Sequence, residues 1–340
     1  MGSVKDLMII KKPENQISGI GRFEFSDRYS VFDWGEMPDH IDGKGKATCI
    51  VTAYFFEKLE EMGIKTHYIG LLENGTLKRL KDLKDPCSVM EIKLLRVLKP
   101  EIREGIYDYS IYEKEKGNFL IPLEIIYRNS LPEGSSVFKR LKEGKLRLED
   151  IGLKEMPKPG DRLSSPLIDV STKLEITDRY INLSEAKKIA ALKDEEIEEI
   201  KTKTLFINNL ITDEVKRIYL SNEDGKFEFG FDENRNLIVV DAIGTLDECR
   251  FTYEGIHLSK EIARIFYRKT EWYEKVEKAK EIDRINWKKH VEILPPNLPF
   301  ELKKMIEDIY KAYANELTER EWFKVKPLKD IVKNLKDYIS

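Results

Sequence analysis

Apolar residues recur at helical spacing through residues 47–62, ATCIVTAYFFEKLEEM, and Gly63 follows as a stop. The period then changes. From residue 64 to about 126 the chain reads as strands and turns, with extended runs THYIGLL, VMEIKLLRVL and FLIPLEIIYRN. A charged stretch, residues 99–118, separates the last two and reads as a long hairpin or insertion. Residues 136–142, SVFKRLK, show a short helical pattern after Gly134 and Ser135. A section rich in loop signals follows, with Pro157, Pro159, Gly160 and Pro166. Helical patterns return at 184–192, with Ser184 as N-cap and Glu185 in the first turn, and at 194–220, capped by Asp194. In the second, Ile197, Ile200, Leu205, Ile207, Leu210, Ile211, Val215 and Ile218 trace one face. From Ser259 the chain reads as two helical regions divided by LPPNLP. This mixture is neither a βαβ series nor a bundle, and it predicts an α+β fold.

One hairpin pattern carries charges where apolar residues are expected. In KFEFGFDENRNLIVVDA, Lys226–Ala242, a four-residue loop from Glu233 to Asn236 closes between Asp232 and Leu237. That register sets Phe231 opposite Ile238, Phe229 opposite Val240 and Phe227 opposite Ala242, all on one face. It also sets Glu228 directly across from Asp241, with Cβ atoms roughly 5 Å apart, an unfavourable arrangement for like charges. Lys226 on the same face offsets them, or a divalent cation does, and Gly230 leaves room for a ligand to approach. The spacing equally fits a wet face with both charges in water.

Composition narrows the class. The chain has 340 residues, 41% hydrophobic and 36% charged, with a net charge of -3. This balance gives no whole-protein attraction to nucleic acid or to an anionic membrane. Three cysteines, Cys49, Cys87 and Cys249, without CxxC spacing fit a reduced, cytoplasmic protein. The start, MGSVKDLMIIKKPENQ, holds too short an apolar run for a signal peptide, and no stretch is long enough to span a bilayer. Gln16 is the only glutamine, while Lys and Glu abound, a usage common in proteins from hot environments.

Other charged residues sit among turns. FSDRYSVFDWG holds Asp27, Arg28 and Asp33, and DGKGKATC places Lys44 between two glycines ahead of a helix, where an anion or a plain turn would fit. YRNSLPEGSSVFKR brings Arg128, Ser135, Ser136, Lys139 and Arg140 to a helix start, which suits a phosphate monoester or a simple serine cap. LDECRF holds Asp247 and Arg250. GIGR, Gly19 to Arg22, is too short to define a phosphate loop, and the four histidines show no metal spacing.

Taken in order, these segments resemble the SAICAR synthetase family. SDRYSVFD with GKG resembles its N-terminal motif, and IPLEIIYRNSLPEGSSVFKR its central segment. STKLEITD, DGKFEFG, VVDAIGTLDECRF and the tail LPPNLPFELKKMIEDIYKAYANELTEREWF follow, so the likeness runs from about Gly19 to Phe323. It implies a β-rich N-terminal lobe (1–124), a mixed ATP and substrate lobe (125–258) with a cleft between them, and C-terminal helices (259–340). It also implies an ATP- and Mg²⁺-dependent ligase that joins L-aspartate to carboxyaminoimidazole ribonucleotide; a homodimer is compatible with it. By resemblance, Glu228 and Asp241 hold Mg²⁺ on ATP, and Gly19, Gly21 and Lys93 contact the nucleotide. Asp33, Lys44, Arg128, Ser136, Asp247 and Arg250 bind substrate, and Lys226 and Lys173 lie at the reacting groups. Departures are the missing N-terminal Gly-Lys pair, Ala242 after the metal-binding Asp, Thr177–Asp178 in place of His-Asp, and the 99–118 insertion. They leave two rival readings, a ligase for another carboxylate and amine, and a non-catalytic nucleotide-binding protein.

Overall fold

The computed structural model describes residues 4–339; Met1–Ser3 and Ser340 lie outside them. The N-terminal part comprises β1 (Lys5–Lys11), β2 (Gly19–Phe25), α1 (Lys44–Glu61), β3 (Tyr68–Glu73), β4 (Thr76–Lys78) and β5 (Val89–Leu94). Its strands form an antiparallel sheet in the order β1-β2-β5-β3-β4. α1 buries Cys49, Ile50, Phe55, Phe56 and Leu59 against β2, β3 and β5. It begins one turn earlier than its apolar period suggests, because the Asp27 carboxylate accepts from Gly43 and Gly45 N–H at 3.2 and 2.9 Å. The anion at this helix start is therefore Asp27, and the Gly-Lys-Gly stretch has no N–H groups left for a ligand.

The insertion is a small hairpin, β6 (Glu101–Arg103) and β7 (Ile106–Asp108), followed by a helical turn that buries Tyr112. It leans on the STKLEI segment: Tyr109 donates to Glu175 at 2.9 Å, and Ile176 N–H donates to Tyr107 at 2.7 Å.

The larger sheet is built from β8 (Phe119–Ser130), β9 (Arg162–Thr172), β10 (Tyr180–Ile181), β11 (Ser221–Phe231), β12 (Leu237–Val240), β13 (Cys249–Tyr253) and β14 (Ile256–His257). The order is β10-β9-β8-β11-β13-β14, with β12 on the free half of β11. Helices α2 (Ser136–Lys142), α3 (Leu183–Ile189) and α4 (Asp194–Lys216) lie between these strands in sequence, and α4 packs on β8, β9, β11 and β12. The chain ends in α5 (Glu261–Tyr267), α6 (Glu271–Ile282), α7 (Phe300–Thr318) and α8 (Leu328–Ile339). The sheets are tied where His67 N–H donates to the Val239 carbonyl (3.1 Å) and Val239 N–H to the Lys65 carbonyl (3.0 Å).

Several details differ from the sequence reading. The α3 cap is Asn182, whose side chain accepts from Glu185 N–H at 2.8 Å; Ser184 is already helical. Asp194 is the first helical residue of α4, and Glu196 reaches back to Lys193 N–H. β9 runs through the loop-rich section because its ladder to β8 is irregular between Arg162 and Leu167, which accommodates Pro166. Gly19 and Gly21 belong to β2 and not to a phosphate loop. A Cβ on Gly19 would lie 2.2 Å from the Lys11 carbonyl oxygen. Gly19→Ala is therefore expected to cost about 1–3 kcal/mol of stability, read from the denaturant midpoint.

Candidate active site

The hairpin register is shifted by one residue from the expected one. Phe231 pairs with Leu237, Phe229 with Val239 and Glu228 with Val240, so Asp241 falls just beyond β12. The loop has five residues, because Asp232 accepts from the N–H groups of Asn234 (2.9 Å) and Asn236 (2.8 Å), and Arg235 adopts a positive φ. Phe227, Phe229 and Phe231 are buried on one face as expected. On the other, Gly230 leaves no room for a ligand: a Cβ there would lie 2.2 Å from Leu95.

The carboxylate across from Glu228 is Glu124 on β8. Lys173 pairs with Glu228 and lies 3.8 Å from Glu124; Lys226 contacts Glu124 at 2.9 Å and Glu248 at 3.4 Å. Asp241, at φ 70°, leaves the strand in the left-handed region, and Lys5 of β1 contacts its carboxylate at 2.7 Å. Four carboxylates thus meet three lysines: Glu124, Glu228, Asp241 and Glu248 with Lys5, Lys173 and Lys226. Burial, then the Asp241 charge, pushes Glu228 up to about 7. For Asp241, burial is outweighed by Lys5 and Lys173, which hold it well below the usual carboxylate range. Burial pushes His67 down to about 4, so it is neutral at pH 7, and its Nε2 lies 3.3 Å from the Asp241 carbonyl. That carbonyl can only accept, so Nε2 carries the proton.

No group of three or more His, Cys, Asp or Glu among the described residues forms a metal-ligand cluster. The donor set still fits Mg²⁺, which takes one or two carboxylates and completes its shell with water and phosphate oxygens. The raised Glu228 favours an added cation there.

A second cluster is built on arginines. Arg128 on β8 is 3% exposed and lies opposite Asp224 of β11. It donates to Asp224 and Asp169 at 3.2 Å and to the Ser136 hydroxyl at 3.2 Å. Arg250 of β13 holds the other side of Asp224, at 2.7 Å, and Arg140 binds Asp169 while stacking on Tyr180. Ser135 caps α2, which leaves Ser136 facing Arg128. A cavity of about 1050 Å³ opens beside Ser136, Arg140, Asp169, Asp178 and Tyr180, with Lys145, Arg147 and Arg179 also along its wall. Burial, then Glu124, pushes Asp178 up to about 6.

The structure thus brings Lys173, Lys226, Glu228 and Asp241 into one cluster, and Arg128, Ser136 and Arg250 into another. The remaining expected site residues stand outside both clusters, though the Asp33 charge reaches Asp178 in the cavity wall. Asp33 is exposed and lies 3.9 Å from Lys280. Lys93 is exposed on β5, beside Ile20. Lys44 and Asp247 are buried and paired with each other at 2.6 Å, so neither presents a free group. Lys5, Glu248 and His67 were not singled out from sequence. Glu124 could have been, since a lone acid in the apolar run IPLEII is the signal that marked Glu228.

A SAICAR synthetase family model matches residues 2–280. The chain is 52% identical over 340 residues, the whole of both chains, to a provisionally assigned phosphoribosylaminoimidazole-succinocarboxamide synthase of Archaeoglobus fulgidus. Its fold is similar to that of a SAICAR synthetase solved in complex with ADP (TM-score 0.57, 24% identity, 88% of this chain and 99% of that one). It is also similar to the Saccharomyces cerevisiae SAICAR synthase solved with SAICAR (TM-score 0.62, 20% identity, 95% and 94%). With the match spanning most of the sequence and a full-length relative at this identity, the chain belongs to the SAICAR synthetase family.

Proposed function

We propose that this protein is an ATP-dependent carboxylate–amine ligase of purine biosynthesis, joining L-aspartate to carboxyaminoimidazole ribonucleotide to give SAICAR, ADP and phosphate. The observation that carries the reading is the pairing of a lysine–carboxylate cluster with a buried arginine cluster at the edge of a large cavity, in a chain of this family.

A carboxylate is a poor acyl donor until it is phosphorylated. Its oxygen attacks the γ-phosphorus of ATP, the bond to the bridging oxygen breaks, and ADP leaves. The aspartate amine then attacks the acyl carbon, the carbon–oxygen bond to phosphate breaks, and the amide remains. Both steps bring anions together, so the protein must supply fixed positive charge and close positioning. Lys226 and Lys173 do so near the reacting groups, and their neighbouring acids keep both protonated. Lys5 reaches the same cluster and can supply the cation that the absent Gly-Lys pair would otherwise give. Ser136 and Arg250 suit the ribonucleotide phosphate, and the buried Arg128 holds Ser136 and the Asp224 partner of Arg250 in place for it. Asp178 lines the cavity, and at about 6 its pKa suits a group that takes a proton from an amine near neutral pH. Glu228 and Asp241 would hold Mg²⁺, which when bound neutralises phosphate charge. No helix among the described residues is long and apolar enough to cross a membrane, consistent with a cytoplasmic enzyme.

If the acyl phosphate forms, heavy oxygen placed in the ribonucleotide carboxylate appears in the released phosphate, seen by mass spectrometry. Unlabelled phosphate would contradict this mechanism.

The pH dependence follows from Glu228. A proton competes with a cation there until pH exceeds about 7. The half-saturating Mg²⁺ concentration for ADP release is therefore expected to fall about tenfold from pH 6 to pH 8 and to level off above. The same raised value favours the folded chain most below the ordinary pKa of 4.5, and that contribution is lost as pH rises through about 7.

A further inference from the structure

The segment from Asp241 to Glu248 joins the two clusters, with the candidate metal carboxylate at its start and Arg250 just past its end. Short-range bonds shape its second half: Glu248 N–H donates to the Thr245 hydroxyl at 3.2 Å, and Cys249 N–H to the Thr245 carbonyl at 2.9 Å. The rest is held from α7 and from the first residue of α1. Tyr310 donates to Asp247 Oδ1 at 2.9 Å, and Lys44 lies 2.6 Å from Oδ2. Tyr313 donates to the Gly244 carbonyl at 2.7 Å. Gly244 has φ 68°, and a Cβ there would lie 2.1 Å from the Phe55 ring, so the turn has no freedom on the α1 side. All four partners are more than nine-tenths buried: Tyr310, Tyr313, Lys44 and Asp247. α7 is itself locked to the approach to α1, where Lys311 contacts Asp42 at 2.7 Å. It also lies beyond residue 280, where the family match ends.

The Asp247 carboxylate is buried, hydrogen-bonded through Oδ1 to a buried hydroxyl and ion-paired through Oδ2 with a buried ammonium, so it is anchored between α1 and α7 and turned away from solvent. Withdrawing it would strand Lys44 and leave a donor unsatisfied. We infer that Asp247 is a joint and not a substrate ligand, and that Tyr310 of α7 is a positioning residue that sets the 241–248 turn through it. This rests on the ligase reading for its kinetic test. The Tyr310 hydroxyl is held as a donor at all working pH values, because burial and the Asp247 charge raise its pKa.

The test is Tyr310→Phe, which keeps the ring and removes one donor. The expected result is a roughly tenfold rise in KM for the ribonucleotide and a raised Mg²⁺ requirement, with kcat changed less. Calorimetry of ADP–Mg²⁺ binding, which needs no turnover, should show severalfold weaker affinity. Tyr219→Phe, at an 80% exposed tyrosine, should match the parent protein in both assays. Asp247→Leu, which removes the acceptor that Tyr310 uses, should raise the ribonucleotide KM at least as much, and combining it with Tyr310→Phe should add little, since the shared contact is already gone. The inference is overturned if Tyr310→Phe has parental KM and ADP–Mg²⁺ affinity, if kcat merely falls with the folded fraction, or if the two changes add fully. Should the parent protein not use the ribonucleotide and aspartate at all, the ligase reading fails, and the ADP–Mg²⁺ comparison still decides the positioning claim.

Discussion

Asp241→Asn is expected to lower turnover at least about a thousandfold while leaving the protein folded. Asparagine matches aspartate in shape and tolerates the left-handed backbone found there, φ 70°, so β12 and the turn after it should survive. What changes is charge. The cluster loses one of the two carboxylates proposed to hold the cation, while its lysines stay. Lys5 loses its partner and adds repulsion. Circular dichroism and the melting profile check the fold, and single-turnover ADP formation checks the chemistry. Turnover within tenfold of the parent would mean that Asp241 holds no essential cation.

Arg128→Met is expected to act on both stability and binding. Arg128 is the shared partner of Asp169 and Asp224, and all three are buried. Removing the guanidinium leaves two carboxylates crowded in a dry site, a loss of about 3 kcal/mol. Arg140 and Arg250 still hold one carboxylate each, which keeps the cost at the lower end for a broken buried pair. Ser136 loses its contact as well, so ribonucleotide KM should rise about a hundredfold. Chemical denaturation and initial rates measure the two effects separately. Arg128→Lys keeps the charge but cannot reach both carboxylates and the hydroxyl, so it should rescue stability more than binding. An unchanged KM in Arg128→Met would move the phosphate site elsewhere.

Much of this architecture is readable from periodicity and turn residues. The helix at SVFKRLK matches α2, and the three extended runs became β3, β5 and β8. Other features depended on contacts between distant segments. The register of the β11–β12 hairpin turned on Asp232 binding two backbone N–H groups, which lengthened the loop by one residue and moved Glu228 from Asp241 to Val240. β1 was not readable because its apolar run LMII does not alternate and is largely exposed, and Lys5 was hidden with it. GKG resembled an anion site because its partners, Asp27 and Asp247, are brought in by tertiary packing. The same packing made Lys44 and Asp247, expected on substrate, a buried pair. The acids and bases of the cleft were legible as charges within apolar strands; which of them touch was not.

The central claim is that ATP is spent on one carboxylic acid and one amine. The direct measurement is sustained ADP release with ATP and Mg²⁺, omitting carboxyaminoimidazole ribonucleotide or L-aspartate in turn. ADP release that requires both, with SAICAR formed in equal amount, is the predicted result. ADP release indifferent to both, in a protein that still binds ATP, would contradict it.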